Sequence, residues 1–389
     1  GSRMMMATHL PDFISWFSLA LLCGFAVTAA LNYQLAARLE SSPTPASPAP
    51  LKVSVLIPVR EESTNLRRHL PSILASDYPD MEVLILDDDS SDDSFDVASS
   101  LLAGSRIPGR IVKGSPWSPS SGLSGKTHAC AQLARLAAAS GSDVLVFCDA
   151  DVSVSPQAVT HTVRWILASR CAGVTGLPAQ ACAGWRERLL IPWIMHLPIL
   201  ASVPLFWSWC SPVNSMQIAN GQWLAVLADD YFAAGGHAQL GGTPLEDVAL
   251  ARAIHQKTGR GIRPVIAVRD IEAGMYPDWA AAVAGFSKNL VALGGGSVAS
   301  FRILLALTNL TFLFPLWGFF IRPDLAIWGL CALLVMRWLT ARLFHMPARD
   351  LIWHPVSLML LNQAGFAAMR TSNSGSYEWK NRVVEWSAT

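Results

Sequence analysis

Between residues 51 and 155, apolar runs of strand length alternate with segments of helical pattern, and this alternation constrains the fold more than any other feature of the chain. The runs KVSVLIPV, EVLILDDD, GRIVKG and DVLVFCDAD are separated by helical patterns over residues 63–76, from about Ser94, and over residues 126–139. Repeated β-α-β units need crossover connections, so they predict an α/β domain with a largely parallel sheet and helices on both faces. In the last run, five apolar or small residues lead straight into Asp149-Ala150-Asp151, with Gly141-Ser142 and Ser155-Pro156 as boundaries. That pattern reads as a buried central strand, and its carboxyl end is where an open α/β sheet places a ligand. A solvated turn, with Asp149 capping a helix from about Pro156, would account for the same residues.

Four polar clusters fall at expected strand ends or a helix start: Pro58-Val59-Arg60-Glu61-Glu62, Asp87-Asp88-Asp89-Ser90-Ser91-Asp92, Gly125-Lys126-Thr127, and Asp149-Ala150-Asp151. A doubly wound sheet brings its strand ends to one edge, so the clusters should share a crevice. Carboxylates in that number repel one another unless something cationic joins them. A divalent Mg or Mn ion bridging a diphosphate resolves the conflict, because such ions accept one or two carboxylates together with phosphate oxygens. Lys126 would add a second positive contact, and the amides of its helix N-terminus would add donors. The string SGLSGKT echoes a phosphate-binding loop, but Gly122 stands only three positions before Gly125, which breaks the required spacing.

The rest of the chain points to a membrane. With 52% hydrophobic and 15% charged residues it is too apolar for an ordinary soluble protein and too charged for a bundle of spanning helices alone. Residues 13–35 carry no charge and are long enough to cross a bilayer, which favours a transmembrane helix over a cleaved signal peptide. The Ser/Pro-rich SSPTPASPAP that follows is a spacer. The aromatic segment around residues 185–209 is broken by Pro192, Pro198 and Pro204, which suits a helix lying in the membrane interface. Residues 303–320 and 325–343 are further span candidates. Residues 352–369 contain His354, Asn362 and Gln363, so they either span or lie at the interface. A net charge of +1 offers no field for nucleic acid, which is set aside as a partner. Seven cysteines without a C-x-x-C pair argue against a disulfide framework and against a zinc site.

The ordered motifs VLIPVREE, VLILDDDSSDDS, GKTHA, FCDAD, ANGQW and LEDVALARAIHQKTG resemble the inverting family-2 glycosyltransferases of GT-A fold, over roughly residues 51–295. The resemblance implies that Pro58, Arg60 and Glu61 border a nucleotide, that Asp87 and Asp88 lie against its base and ribose, and that Lys126 approaches the diphosphate. It further implies that Asp149 faces the sugar nucleotide and Asp151 ligates the metal, with Asp149 beside it. Asp247, paired with Glu246, is the implied general base, since an acceptor hydroxyl must lose its proton as it attacks the anomeric carbon. Favourable charge at a helix start would also explain Glu246-Asp247. Trp223, Trp279 and Lys288 are expected on the acceptor side, although Trp279 and Lys288 serve equally as an interfacial aromatic anchor and cation.

Within the family the chain looks most like bacterial carotenoid- and hopanoid-associated enzymes. This leads to the expectation of a single sugar moved from a nucleoside-diphosphate sugar, uridine before guanosine, to the hydroxyl of a membrane lipid. A polyprenyl-phosphate sugar transferase, a processive polysaccharide synthase and a catalytically inactive membrane scaffold are the alternatives. The missing Q-x-x-R-W string weighs against the synthase. The expected organisation is a transmembrane helix over 12–36, a linker over 37–50 and a catalytic domain over 51–295, with an interfacial segment at 185–210. Helices over 301–370 and a tail over 371–389 complete it. The catalytic domain is expected on the cytoplasmic side of the bacterial inner membrane, where nucleotide sugars are made.

Overall fold

The computed structural model describes residues 2–44, 51–373, 376–379 and 382–385; residues 45–50 of the expected linker and parts of the expected tail lie outside the described residues. The chain divides into two compact units.

The first, an α/β unit, comprises residues 37–181, 205–275 and 376–389. Its main sheet is built from β1 (Val53–Val59), β2 (Met81–Asp87), β3 (Gly109–Lys113), β4 (Val144–Cys148), β6 (Gly173–Leu177), β8 (Trp223–Leu227) and β9 (Ile262–Ile266). The order across the sheet is β3-β2-β1-β4-β8-β6-β9. A small second sheet joins β5 (Val152–Val154), β10 (Ile271–Ala273) and β7 (Ala179–Gln180).

The strand runs are apolar on both faces because both faces are covered. Val53, Val55, Ile57 and Val59 of β1 face one core together with Leu66, Leu70 and Ile73 of helix Ser63–Ile73. Leu56 faces the other core, formed with Leu133 and Ala134 of helix Gly125–Ala139 and Leu250 and Ile254 of helix Glu246–Thr258. Each fully buried aliphatic side chain contributes about 1.5–3 kcal/mol, so the two layers hold the sheet rigidly. Ser124 starts helix Gly125–Ala139 as an N-cap, its Oγ accepting from the Thr127 N–H at 3.1 Å.

Strands β1, β2, β3 and β4 are mutually parallel, as the β-α-β pattern predicts. The departure is β8, which runs antiparallel between β4 and β6. Its register pairs Cys148 with Trp223. The amino end of β8 therefore abuts the carboxyl end of β4, which brings Gly221 to the edge where Asp149 stands.

The second, helical unit comprises residues 1–36, 182–204 and 276–375. The catalytic domain is expected to run unbroken to residue 295, whereas the compact α/β unit leaves out residues 182–204 and 276–295. Within helix Ser2–Leu35, the stretch Leu10–Leu35 is long and apolar enough to cross a membrane, and so is helix Pro323–Leu343. Both present large apolar side chains outward, including Phe13, Trp16, Leu31, Trp328 and Trp338. The expectation of one helix over 303–320 is corrected: helix Val298–Phe312 ends there and a separate turn, Phe314–Trp317, follows. Pro315 has no N–H to continue the ladder, and its ring would clash with the Thr311 carbonyl. Helix Val298–Phe312 instead forms a 100° bent pair with Trp279–Leu293, hinged at Gly294-Gly295-Gly296, where Gly295 and Gly296 adopt positive φ.

In helix His354–Asn373, His354 and Asn362 face protein, while Gln363 is exposed. Asn362 exchanges 2.8 Å hydrogen bonds with Asn309, and His354 Nε2 lies 2.8 Å from the Phe312 carbonyl.

Candidate active site

At the carboxyl edge of the main sheet, Pro58, Lys126, Asp149, Gly221, Glu246 and Asp247 line one cavity, with Cys130, Phe147, Cys148 and His237 beneath them. Each side chain arrives from a different element. Asp149 follows β4, Lys126 opens helix Gly125–Ala139, and Glu246 and Asp247 open helix Glu246–Thr258.

Lys126 is the electrostatic hub. Its Nζ lies 2.7 Å from Asp149 Oδ1 and 3.3 Å from Glu246 Oε1. Burial by itself would lower the lysine pKa, but Asp149 and Glu246 more than offset it and hold the ammonium well above its ordinary range. Asp247 is placed by backbone donors: Gly221 N–H donates to Oδ2 at 2.9 Å and Val248 N–H to Oδ1 at 2.8 Å. Burial, then the neighbouring Glu246, pushes its carboxyl up to about 6, while the Val248 N–H, Lys126 and the Gly221 N–H pull the other way. At neutral pH it is therefore a carboxylate with more basicity than an exposed aspartate. Gly221 forms the wall between them: a Cβ there would sit 3.4 Å from Lys126 Nζ and 3.7 Å from Asp247 Oδ2.

Asp151 is the second acid of its motif. Among the described residues its Oδ1 is buried without a hydrogen-bond partner, and burial followed by repulsion from Asp149 and Glu62 pushes its carboxyl up to about 7. Among the described residues no three His, Cys, Asp or Glu side chains gather as a ligand set. The donors present still fit Mg or Mn, which take one or two carboxylates and fill the remaining positions with phosphate and water. An orphaned, destabilised carboxylate beside a second acid is the arrangement such an ion would relieve.

The loops after β1 and β2 are stitched together. Arg60 Nη1 donates to the Asp88 carbonyl at 2.5 Å and the Asp89 carbonyl at 2.8 Å. Glu61 accepts from the Ser91 N–H at 2.7 Å and from Ser91 Oγ at 2.9 Å, and Asp87 Oδ1 accepts from the Ser90 N–H at 3.2 Å. Glu61 and Asp89 hold positive φ, a strain that non-glycine residues adopt chiefly where surrounding contacts over-determine it. Asp87 and Asp88 are each only 4% exposed, whereas the neighbouring Asp89 side chain is largely exposed.

One expectation is corrected. Trp223 is fully buried in β8, with its Nε1 donating to Thr162 Oγ1 at 3.0 Å, so it packs the core and does not meet an acceptor. Trp279 and Lys288 belong to helix Trp279–Leu293 of the helical unit, whereas the cavity is built within the α/β unit. Two residues of the site escape sequence reasoning. Gly221 supplies the N–H that orients Asp247, and His237, 3% exposed, lies under the cavity with Nδ1 3.0 Å from the Tyr231 hydroxyl. The signal for the latter was Gly235-Gly236: both take positive φ, and a Cβ on Gly236 would overlap the Tyr231 ring at 2.4 Å.

This is an α/β fold of GT-A type with its charged cavity at the strand ends. Residues 54–199 match the family model described as Glycosyl transferase family 2, which covers the Asp149-Ala150-Asp151 motif but not Gly221, Glu246 or Asp247. Among solved structures the chain is similar to the mannosyltransferase PcManGT from Pyrobaculum calidifontis, in complex with GDP-Man and Mn2+. That likeness has a TM-score of 0.51 and 18% identity and covers 92% of this chain and 99% of that one. A crystal structure of S. aureus TarS 1-349 aligns at a TM-score of 0.39 and 11% identity, over 86% and 96% of the two chains. A comparison with curated proteins finds no match.

Proposed function

We propose that the chain is an inverting glycosyltransferase that moves one sugar from a nucleoside-diphosphate sugar to the hydroxyl of a membrane lipid. The observation that carries this reading is Asp247, a carboxylate of raised basicity oriented by the Gly221 N–H in one cavity with Lys126, Asp149 and Glu246. The acceptor hydroxyl gives its proton to Asp247 as its oxygen attacks the anomeric carbon. The bond from that carbon to the β-phosphate oxygen breaks, and its electron pair leaves with the nucleoside diphosphate. One displacement inverts the anomeric centre. Lys126 faces the growing negative charge of the leaving group. A divalent Mg or Mn, held by Asp151 with Asp149 beside it, would supply further charge neutralisation there.

The family match and the GDP-Man and Mn2+ complex of the Pyrobaculum enzyme favour a nucleotide sugar and a divalent metal. A uridine diphosphate donor is the first to assay and a guanosine diphosphate donor the second. A lipid acceptor is favoured by the two helices long and apolar enough to cross a membrane, and a cytoplasmic catalytic domain in the bacterial inner membrane follows from the site of donor synthesis.

The test is Asp247→Asn beside Glu246→Gln. The amide keeps the shape but takes no proton, so turnover falls about a hundred- to ten-thousand-fold while donor affinity stays nearly intact. Wild-type turnover in Asp247→Asn refutes the base assignment, and a parallel collapse of donor binding moves Asp247 into the donor site.

A further inference from the structure

The helical unit contains a cavity of its own, lined by Arg188, Trp193, Arg337, Met346 and Asp350 among apolar neighbours. Arg188, on helix Trp185–Ile191, grips Asp350 through two bonds, Nε to Oδ2 at 2.5 Å and Nη2 to Oδ1 at 3.2 Å. Both carboxylate oxygens of Asp350 are thereby engaged. Arg337, on helix Pro323–Leu343, donates through Nη2 to the Asp350 backbone carbonyl at 3.4 Å and stands 5.8 Å from the centre of the Trp193 ring. Its Nη1 is buried and has no hydrogen-bond partner among the described residues.

Two cations and one anion line this cavity, so among its lining residues positive charge exceeds negative by one. An ionised group out of water is costly unless it is paired, and a guanidinium presents its donors in a planar fork that matches phosphate oxygens. Arg337 stands six residues before the end of its helix, about 9 Å along the axis at 1.5 Å per residue, a depth from which a long side chain reaches the headgroup layer. A charged residue inside an apolar helix of spanning length marks a functional position more often than a packing one.

We propose that this cavity binds one phosphate group, of a lipid headgroup or of free phosphate, with Arg337 Nη1 as its principal donor, Trp193 as its apolar wall, and the Arg188–Asp350 pair fixing the floor. The proposal stands whether or not the sugar acceptor is a lipid.

The full chain in neutral detergent is titrated with short-chain phosphatidic acid, with inorganic phosphate, and with the matching diacylglycerol, which lacks the phosphate. Saturable binding of phosphatidic acid is expected, with none of diacylglycerol, and about tenfold or greater weakening in Arg337→Gln. Met346→Glu, which sets a carboxylate into the same lining, should abolish binding by supplying the counterion internally. Nucleotide titration of each variant reports that the α/β unit is folded, and if Arg337→Gln does not fold, Met346→Glu decides. Inorganic phosphate binding as tightly as the lipid assigns the site to a free anion, and lipid-only binding assigns it to a headgroup; either supports the phosphate site. Absence of saturable binding, or wild-type affinity in both variants, overturns it.

Discussion

Replacing Lys126 by methionine removes the one cation that binds Asp149 and Glu246 together while keeping the length of the side chain. Its effect on Asp247 can be worked from the cavity geometry. Lys126 Nζ and Asp247 Oδ2 both lie within 4 Å of the point where a Gly221 Cβ would stand, which puts the two charges no more than about 7 Å apart. At an effective dielectric of about 20, a unit charge at that distance is worth roughly 2 kcal/mol. Partial exposure of the lysine, 28%, lets solvent screen some of this, so about one pKa unit remains. The sign follows from the chemistry: the ammonium favours the carboxylate, so its removal raises the Asp247 pKa from about 6 to about 7. A base works only when deprotonated, so the acid limb of turnover should move upward by about one pH unit. The assay is turnover against pH from 5 to 9 at saturating donor, which separates this shift from any loss of donor affinity. An acid limb that stays put or moves to lower pH would refute both the Lys126 coupling and the role of Asp247 as base.

Asp151→Asn should abolish Mn2+-dependent tightening of nucleotide binding in calorimetry. It should also raise the melting temperature of the metal-free protein at pH 8 by roughly 3 °C, because a carboxyl pushed up to about 7 destabilises the fold as pH rises through that value and the amide does not ionise. His237 is held neutral by burial, its pKa lowered to about 3; the unfolded chain gains a proton there below about pH 6.5 and the folded chain does not. Stability should therefore fall between pH 6.5 and 3, and His237→Leu should flatten that slope in denaturant titrations. Gly236→Ala places a Cβ 2.4 Å from the Tyr231 ring at a positive φ, so unfolding in urea should show a loss of about 1–3 kcal/mol.

The sequence alone determined the alternation of strands and helices, the apolar membrane-length segments and the acidic ends of β2 and β4. These are local signals: periodicity, apolar run length and the polarity change at a strand end can be read within about ten residues. The motif order made Lys126, Asp149 and Asp247 candidates before any distance was known. What the sequence could not supply was the direction of β8 and long-range contact. Nothing in ANGQWLAVL distinguishes a parallel strand from an antiparallel one, yet the antiparallel insertion of β8 brings Gly221 into the cavity that Asp149 lines and turns its N–H onto Asp247. For the same reason Trp223 read as a site residue but packs the core, since residues alternate faces along a strand and only the sheet order reveals what covers each face. Helix continuity was likewise a tertiary and conformational matter: the Gly294-Gly295-Gly296 hinge and Pro315 divide an apolar stretch that hydropathy alone joins. The pairing of Arg188 with Asp350, 162 positions apart, which leaves Arg337 with an unmatched donor, exists only once the helices pack.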